Sequence, residues 1–365
     1  MIYEPAEDSE LIKKYVKKFA WGRVLDMGTG SGIQAITASK RKKVNGVLAV
    51  DINKKAVELV RKKGIRTKVS DLFSNVSRKF DTIIFNPPYL PFDKREDGES
   101  QLATTGGKKG YEALEKFLNQ VNGYLTEKGI VLIVFSSLTK KERVDEIIGR
   151  NLLKGELLEK QHIHFEDLFV YKIIKSKVLQ ELEKKGVSEI KYLAKGKRGR
   201  VFTGVYRRKK VAIKIKRTSS LAQGRMKNEV KWLKVLNRKG IGPKLLFYGR
   251  DYLSYRFVEG VFFVDYNNKK KLVPKILKQC FEMDKLGVNK EEMHRPLKHI
   301  LVDGKGKVTM IDFERCYATK KPHNVTQFGV FLIRLKLVKK GMKEALKEYK
   351  MKMNEKNFKK ILQLV

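Results

Sequence analysis

The chain contains little cysteine, proline or tryptophan, and it has no long apolar run. Among its 365 residues there are 2 cysteines, 8 prolines and 2 tryptophans. Cys280 and Cys316 lack the close spacing of metal-binding pairs, which argues against a disulfide framework and against a cysteine-based zinc site. The longest apolar run, residues 130–135, is far shorter than the roughly 18 residues that a membrane helix needs. We therefore expect no membrane association.

The N-terminus also lacks the features of a secretory signal. Residues 1–10 are acidic, whereas a signal peptide has a basic segment followed by an apolar one. A chain without a signal, a disulfide framework or a membrane span is expected to be cytoplasmic.

Acidic residues are scarce relative to basic ones. The chain has 81 Lys and Arg against 40 Asp and Glu, which gives a net charge of +41. Residues 1–176 hold 32 basic and 23 acidic residues, and residues 177–365 hold 49 and 17, so most of the excess lies in the second half. A lysine-rich solvated surface explains this pattern, and so does binding of RNA, a ribosome or an acidic protein. The composition leaves both explanations open.

Short apolar runs alternate with amphipathic stretches in the first half of the chain. The runs span residues 23–27, 46–51, 67–69, 82–85, 130–135 and 168–174. This alternation predicts an α/β fold with an open, mostly parallel sheet over residues 1–176. A helical segment at residues 178–185 predicts a connector over residues 177–189.

The pattern then changes to hairpins followed by mainly helical segments. Hairpin strands are predicted at residues 201–206 and 211–215, a helix at 224–239, and a further hairpin at 299–313. Residues 336–360 keep helical periodicity despite their lysine content. We predict a second domain of α+β class over residues 190–365.

A glycine-rich loop follows the first predicted strand. The loop contains one acidic residue and three glycines: Asp26, Gly28, Gly30 and Gly32. Glycines allow a tight turn and a close approach of the backbone to a ligand. Asp51 ends the second strand and can accept hydrogen bonds from ribose hydroxyls, and Asp71 follows the third strand and can accept one from an adenine amine. This order predicts a nucleoside-binding crevice and disfavours the alternative, a glycine turn without a ligand.

The fourth predicted strand ends in Asn-Pro-Pro-Tyr at residues 86–89. An –NH₂ group conjugated to a π-system is a poor nucleophile because its lone pair is delocalised. Asn86 offers a side-chain carbonyl and Pro87 a backbone carbonyl, and together these two acceptors can hold such a group and direct its lone pair. Tyr89 offers a ring face to a planar acceptor. A structural Pro-Pro turn is the alternative, and the position behind the fourth strand favours the acceptor site.

Residues 1–176 resemble the HemK family of class I, Rossmann-like methyltransferases, which methylate the glutamine of the Gly-Gly-Gln motif in translation termination factors. The resemblance rests on residues 86–89, on Tyr-Glu-Pro-Ala-Glu-Asp-Ser at residues 3–9, and on the Gly-Gly-containing segment at residues 104–110. The last two segments are similar to those of the eukaryotic and archaeal branch of the family.

The resemblance implies a cofactor, a substrate and a partner. Asn86, Pro87 and Tyr89 would hold the glutamine amide of a termination factor. The residues implied to bind S-adenosylmethionine are Glu7, Asp8, Ser9, Asp26, Gly28, Gly30, Gly32, Asp51, Asp71 and Asn86. A small zinc-binding activator subunit is implied as a partner.

Asn-Pro-Pro-Tyr is not specific for glutamine. It is also found in adenine-N6 methyltransferases of DNA and RNA, because adenine presents a similar planar amine. Such enzymes need a basic cleft or a recognition domain for the nucleic acid. Residues 1–176 are only modestly basic, but the second half of the chain offers a basic surface, so this alternative stays open.

Several short motifs of the second half resemble those of two-lobed protein kinases, in particular the small atypical serine/threonine kinases of archaea near the RIO type. A basic hairpin, a Val-Ala-Ile-Lys strand, a glutamate on the next helix and an Ile-Asp-Phe-Glu segment follow in the expected order, and their motif residues are Gly196, Gly199, Lys214, Glu229 and Asp312. The resemblance implies ATP as a ligand, with Mg²⁺ held by Asp312.

The expected catalytic loop of a kinase is altered in this chain. Residues 294–299 read His-Arg-Pro-Leu-Lys-His where the pattern is H-R-D-x-x-x-x-N. Aligned from the left, Pro296 replaces the catalytic aspartate. Aligned backwards from residue 300, His294 takes the aspartate position and His299 the asparagine position, and His294 could then act as a base. A degenerate domain that binds nucleotide, or a basic docking module, is the alternative.

Overall fold

The computed structural model describes residues 4–92, 104–163, 166–196, 199–216 and 220–365. The chain forms two compact units, Met1–Lys185 and Gly186–Val365. Tyr3 of the N-terminal motif lies outside the described residues. Within the described part, none of the helices has the length and apolar character needed to span a bilayer.

A seven-stranded sheet forms the centre of the first unit. The strands of this unit are β1 (Gly22–Met27), β2 (Val44–Asp51), β3 (Arg66–Val69), β4 (Phe80–Phe85), β5 (Leu90–Pro91), β6 (Thr105–Gly107), β7 (Leu125–Ser136), β8 (Leu153–Ile163) and β9 (Glu166–Lys175). The sheet order is β3-β2-β1-β4-β7-β9-β8, and β5 and β6 form a separate pair. Strands β3 to β7 in this order are parallel, while β9 is antiparallel to both of its neighbours. The predicted open, mostly parallel α/β sheet is therefore confirmed.

Helices connect the strands of the first unit. They are α1 (Glu7–Phe19), α2 (Ile33–Ser39), α3 (Lys54–Lys62), α4 (Glu112–Gln120), α5 (Lys141–Arg150) and α6 (Lys177–Lys184). Helix α3 begins where the Asn53 side chain accepts a hydrogen bond from the Lys55 amide, and α6 begins where Ser176 accepts one from the Leu179 amide. The buried ammonium of Lys175 on β9 lies 2.8 Å from the Glu183 carboxylate of α6, so α6 packs back onto the first unit.

All six predicted strands of the first unit are present, but β8 has no counterpart among the predicted apolar runs. Its sequence, LKGELLEKQHI, mixes charged and apolar residues because β8 is the edge strand of the sheet and exposes much of its surface. A strand of this kind lacks the apolar run by which buried strands are recognised.

The second unit combines a five-stranded antiparallel sheet with a mainly helical part. Its elements are β10 (Val187–Lys195), β11 (Gly199–Tyr206), β12 (Lys209–Lys216), α7 (Ser220–Leu236), β13 (Leu245–Tyr248), β14 (Tyr252–Arg256), β15 (Val261–Phe262), α8 (Val273–Lys285), β16 (Val288–Lys290), β17 (Ile300–Val302), β18 (Val308–Met310), β19 (Cys316–Ala318), α9 (Asn324–Arg334), α10 (Met342–Met351) and α11 (Glu355–Gln363). The large sheet has the order β10-β11-β12-β14-β13, and β15-β17-β18 and β16-β19 form two small sheets.

The predicted hairpins of the second unit are present. Strands β11 and β12 pair antiparallel across a turn in which Arg207 and Arg208 both have positive φ, 48° and 60°, as in the two-residue turns that suit strand twist. The predicted helix at residues 224–239 begins earlier, because α7 spans Ser220–Leu236. The lysine-rich C-terminus forms the two helices α10 and α11.

A buried polar network fixes strand β16 inside the second unit. The carboxylate of Asp284 on α8, which is only 1% exposed, accepts hydrogen bonds from the amide and side-chain nitrogens of Asn324 and from the Tyr349 hydroxyl. Asn324 in turn donates to the Val288 carbonyl at 2.6 Å and accepts from the Lys290 amide at 2.8 Å. Because each buried polar group is paired, the network holds β16 in one position.

Candidate active site

The carboxyl ends of β1, β2, β3 and β4 open onto a cavity of about 460 Å³. A crevice at this edge of the sheet is what the order of the sequence motifs predicts. Most of the predicted site residues of the first unit line it: Asp8, Ser9, Asp26, Gly28, Gly30, Asp51, Asp71, Asn86, Pro87 and Tyr89.

Two predicted site residues do not line this cavity. Glu7 is exposed in the first turn of α1. Gly32 precedes α2 with a φ of +85°, and a Cβ atom at this position would lie 2.8 Å from Cγ2 of Val60 on α3. The third glycine of the loop is therefore needed for its backbone conformation and for helix packing.

Asp26 holds the glycine loop in place. Its carboxylate, in a residue only 2% exposed, accepts hydrogen bonds from the Thr29 hydroxyl at 2.6 Å and from the Ala35 amide at 3.1 Å. Burial raises the pKa of Asp26 to about 7, although both hydrogen bonds act in the opposite direction. Asp26 thus connects the loop to the beginning of α2.

Two aspartates flank the crevice beyond β2 and β3. The carboxylate of Asp51 accepts hydrogen bonds from the Gly30 amide at 2.9 Å and from the Asn53 amide at 2.8 Å. Each carboxylate oxygen retains a further lone pair, so Asp51 can still accept hydrogen bonds from a ligand. Asp71 is exposed at the cavity wall.

Asn86 is oriented by Asp8. Its side-chain nitrogen donates to Oδ2 of Asp8 at 3.0 Å, and the Tyr89 hydroxyl donates to the same oxygen at 3.2 Å. Oδ1 of Asn86 is buried and has no hydrogen-bond partner. Asp8, which the resemblance assigned to the cofactor, therefore contacts the Asn-Pro-Pro-Tyr loop at residues 86–89, named the acceptor loop, and it leaves the Asn86 carbonyl oxygen for a ligand.

The Gly-Gly-containing segment packs directly on the Asn-Pro-Pro-Tyr loop. Strand β6 pairs in parallel with β5, which follows Tyr89. A Cβ atom on Gly106 would lie 2.3 Å from the Gly110 carbonyl oxygen and 2.6 Å from the Pro88 carbonyl oxygen, and one on Gly110 would lie 2.5 Å from the Tyr89 oxygen. Two backbone segments can approach this closely only where both positions are glycine.

Gln34 is a cavity residue that sequence reasoning missed. It lies in the first turn of α2, is 4% exposed, and donates from Nε2 to the Ser9 carbonyl oxygen at 2.9 Å. Its Oε1 is buried without a hydrogen-bond partner. The signal in the sequence is the one long polar side chain in the segment IQAITAS, whose other residues are small or apolar.

Lys214 is the centre of a charged cluster in the second unit. Its ammonium nitrogen lies 2.8 Å from a carboxylate oxygen of Glu229, 3.0 Å from one of Asp312 and 3.3 Å from one of Glu314. These carboxylates raise the pKa of Lys214 well above its usual value, despite the opposing effect of burial. The carboxylate oxygens of Glu229, Asp312 and Glu314 lie within 4.8 Å of one another, a spacing that would suit a metal ion.

The remaining predicted residues of the second unit lie in different surroundings. The Gly196 amide donates to the Gly199 carbonyl at 2.9 Å, which closes the end of the β10–β11 hairpin. His294 is exposed, with Nδ1 2.9 Å from the Glu291 carbonyl oxygen. Nδ1 of His299 is buried without a partner, and burial lowers the pKa of this histidine.

The sequence of the first unit is similar to that of known proteins. Residues 7–163 match the model of the methyltransferase small domain. A putative protein N5-glutamine methyltransferase of Methanocaldococcus jannaschii is 39% identical over 178 residues, which cover 46% of this chain and 89% of that protein. The chain belongs to the HemK-like family of glutamine methyltransferases.

Other HemK-like relatives are more distant. The human methyltransferase HEMK2 is 28% identical over 193 residues, which cover 48% of this chain and 90% of that protein. A release factor glutamine methyltransferase of Streptococcus pneumoniae is 32% identical over 123 residues. That match covers 30% of this chain and 44% of the streptococcal protein, so the chain spans less than half of its length.

HemK-like enzymes depend on S-adenosylmethionine, and the cavity residues fit this cofactor. The glycine loop and Asp51 present backbone and carboxylate groups to a nucleoside. The buried oxygens of Gln34 and Asn86 and the buried hydroxyl of Thr105 all lack partners. Because unpaired buried acceptors are costly, a ligand with hydrogen-bond donors at these positions is expected.

We expect Gln34→Leu to weaken S-adenosylmethionine binding by about tenfold to a hundredfold, the usual range for a lost hydrogen bond to a charged group. Gln34 lines the same cavity as Asp51 and Asn86, and its unpaired Oε1 can accept a hydrogen bond from the ammonium group of the cofactor. Isothermal titration calorimetry measures the affinity.

The control ligand for Gln34→Leu is 5′-methylthioadenosine, which lacks the amino acid part of the cofactor. Its affinity should stay the same. An equal loss for both ligands would mean that Gln34 acts only by holding the Ser9 carbonyl, and an unchanged affinity for S-adenosylmethionine would also contradict the assignment.

We expect Gly106→Ala to lower the methylation rate by about tenfold to a hundredfold, because the added methyl group must displace the acceptor loop. Cofactor affinity should change little. Gly46→Ala on β2 is the matched control, since a Cβ atom there meets nothing within 4 Å. Single-turnover methylation assays compare the two variants, and equal rates would show that the loop tolerates the shift.

Proposed function

We propose that the first unit transfers a methyl group from S-adenosylmethionine to the side-chain nitrogen of the glutamine in the Gly-Gly-Gln motif of a translation termination factor. One observation carries this proposal. Asp8 accepts a hydrogen bond from the nitrogen of Asn86, and the buried carbonyl oxygen of Asn86 is left without a partner and can accept one from an N–H donor.

The geometry suits a primary amide. Asn86 Oδ1 and the backbone carbonyl of Pro87 would each accept one N–H of the glutamine –NH₂ group, and Pro87 has no amide hydrogen that could compete. Held in this way, the nitrogen lone pair is directed at the methyl group, which the cofactor supplies when bound. The rate gain comes from positioning, and the proton on the methylated nitrogen leaves to water afterwards.

Relatives support the choice of a protein substrate. The curated proteins that the chain resembles are named as protein N5-glutamine and release factor glutamine methyltransferases. As in the eukaryotic and archaeal branch that the sequence resembles, we propose that a small zinc-binding activator subunit assists the enzyme. We also propose a cytoplasmic location, where termination factors act.

The N6 amine of adenine in DNA or RNA is a second candidate acceptor. The observation in its favour is the charge of residues 177–365, with 49 basic against 17 acidic residues, which could bind a phosphate backbone. The same basic surface is compatible with glutamine methylation of a termination factor, in which it would contact RNA or the ribosome. Transfer of labelled methyl groups to a termination factor or to nucleic acid distinguishes the two acceptors.

For the second unit we propose a two-lobed protein-kinase-like domain that binds ATP with Mg²⁺. In this proposal Lys214 pairs with the phosphates, Glu229 orients Lys214, and Asp312 holds the metal ion. The support is the buried contact of 2.8 Å between Lys214 and Glu229 and the approach of Asp312 to the same ammonium group. Transfer of phosphate to serine or threonine would make the domain an atypical kinase.

We expect Asn86→Ala to lower glutamine methylation by at least about a hundredfold, since it removes one of two acceptors that position the nitrogen. The assay uses methyl-labelled S-adenosylmethionine and the termination factor of the same organism, with and without the activator subunit. Label should disappear when the Gly-Gly-Gln glutamine is replaced by alanine. Label that appears only on total nucleic acid and survives protease would instead support the adenine acceptor.

Tyr89→Phe is the matched control for Asn86→Ala. It removes one hydrogen bond to Asp8 but keeps the ring and the Asn86 carbonyl, so the expected loss is less than about tenfold. Tyr89→Phe should bind the cofactor like the parent protein. Asn86→Ala is compared with the parent at saturating cofactor, because Asn86 is also implied to contact the cofactor. An Asn86→Ala enzyme with normal methyl transfer would show that the acceptor lies elsewhere.

We expect Lys214→Met to weaken binding of Mg²⁺-ATP by about tenfold to a hundredfold, because a charged contact with phosphate is lost. Lys210→Met is the control, since Lys210 lies on the same strand but its side chain is 52% exposed. A fluorescent ATP analogue titrated with and without Mg²⁺ measures the affinity. A parent protein that binds no nucleotide would refute the kinase-like proposal.

A further inference from the structure

The kinase-like motifs leave open which group would accept a proton in phosphate transfer. Any such group depends on the ATP-binding function proposed for the second unit. The sequence pattern alone suggested His294 for this role, but the structure places His294 on the surface. Its Nδ1 lies 2.9 Å from the Glu291 carbonyl oxygen, within its own short helical turn, Glu291–His294.

Strand pairing brings the segment of Glu292 next to the segment that contains Asp312. Strand β16 pairs antiparallel with β19, and Lys290 at the end of β16 is opposite Cys316. The segment after Lys290 therefore runs beside the segment that contains Asp312. Glu292, two residues after β16, is on that side, and its side chain is 13% exposed.

Lys290 joins Glu292 to the backbone of Asp312. Its side chain is 0% exposed, and its ammonium nitrogen lies 3.0 Å from Oε2 of Glu292 and donates a hydrogen bond to the Asp312 carbonyl oxygen. The same nitrogen is 5.1 Å from the centre of the Phe313 ring. A fully buried ammonium group needs such partners, so Lys290 fixes the distance between Glu292 and Asp312.

The second oxygen of Glu292 remains the more available one. Oε1 is 3.8 Å from Nε of Arg315, a contact too long for a hydrogen bond. Arg315 also approaches Glu291 and is partly exposed, so its guanidinium group can move. A carboxylate with one oxygen anchored and the other without a hydrogen bond can accept a proton in a defined direction.

We propose that Glu292 is the catalytic carboxylate of the second unit and that Lys290 is its positioning residue. A hydroxyl group of a protein substrate would attack the γ-phosphorus of Mg²⁺-ATP. A bond forms between this oxygen and the γ-phosphorus, and the bond from the γ-phosphorus to the bridging oxygen of ADP breaks. The hydroxyl proton passes to Glu292, and the products are a phosphate ester and ADP.

The test compares Glu292→Gln with His294→Gln in the full chain. Transfer of γ-³²P from ATP to the chain itself and to dephosphorylated casein is measured beside the affinity for Mg²⁺-ATP. We expect Glu292→Gln to lower transfer by about a hundredfold or more while ATP affinity stays within about twofold of the parent. Glutamine keeps an oxygen for Lys290, so the fold should persist, which thermal unfolding checks. His294→Gln should transfer label at nearly the parent rate.

Lys290→Met supplies a second readout, since methionine fills a similar volume. It should lower the turnover rate without changing the KM for ATP. Combined with Glu292→Gln it should cause no additional loss, because both changes remove the same group from its position. A purely structural lysine would instead give additive losses.

The outcomes separate this inference from the proposal on which it rests. Normal transfer by Glu292→Gln, or loss of transfer in His294→Gln, would overturn the assignment of Glu292. A parent protein that binds Mg²⁺-ATP but transfers no label would overturn it as well, while nucleotide binding by the second unit would stand. Absence of ATP binding would refute both.

Discussion

The hydrogen bonds that the Asp8 carboxylate accepts are the interaction on which the proposed acceptor site depends. Asp8 stands at the beginning of α1 and accepts hydrogen bonds from Asn86 and Tyr89, which lie 78 and 81 residues further along the chain. Because the nitrogen of Asn86 is committed to Asp8, its carbonyl oxygen is the group presented to the cavity. The chemistry of the Asn-Pro-Pro-Tyr loop thus depends on where the sheet and α1 place a residue distant in sequence.

Close packing and buried charge fix the rest of both units. In the first unit, Gly106 and Gly110 let a second backbone segment lie against the acceptor loop, so the loop has few ways to relax. In the second unit, buried or nearly buried ammonium groups hold distant segments together. Lys214 draws together carboxylates from α7 and from the segment after β18, and Lys290 connects Glu292 to the backbone of Asp312. Buried charges are tolerated only when paired, and this requirement brings distant segments together.

Much of the fold could be read from local patterns. The buried strands β1, β4 and β7 appear as apolar runs because both faces of a central parallel strand are covered. The β11–β12 hairpin was predicted from two alternating runs around a basic turn. Strand β8 has no apolar run, because an edge strand exposes much of its surface and does not need one. The small strands β16 and β19 were missed because three residues carry too little periodicity to detect.

The sequence by itself determined which chemical groups follow each strand, and therefore the family, the glycine loop and the Asn-Pro-Pro-Tyr tetrapeptide. These features are local, since a strand end, a turn and a proline constrain only their neighbours. The tertiary structure decided what each side chain does. It directed Asp8 to Asn86, used Gly32 for packing against α3 and placed Gln34 in the cavity wall. It also connected Glu292, through Lys290, to the backbone of Asp312, and left His294 on the surface. Those assignments depend on contacts between segments far apart in the chain, and a one-dimensional spacing does not contain them.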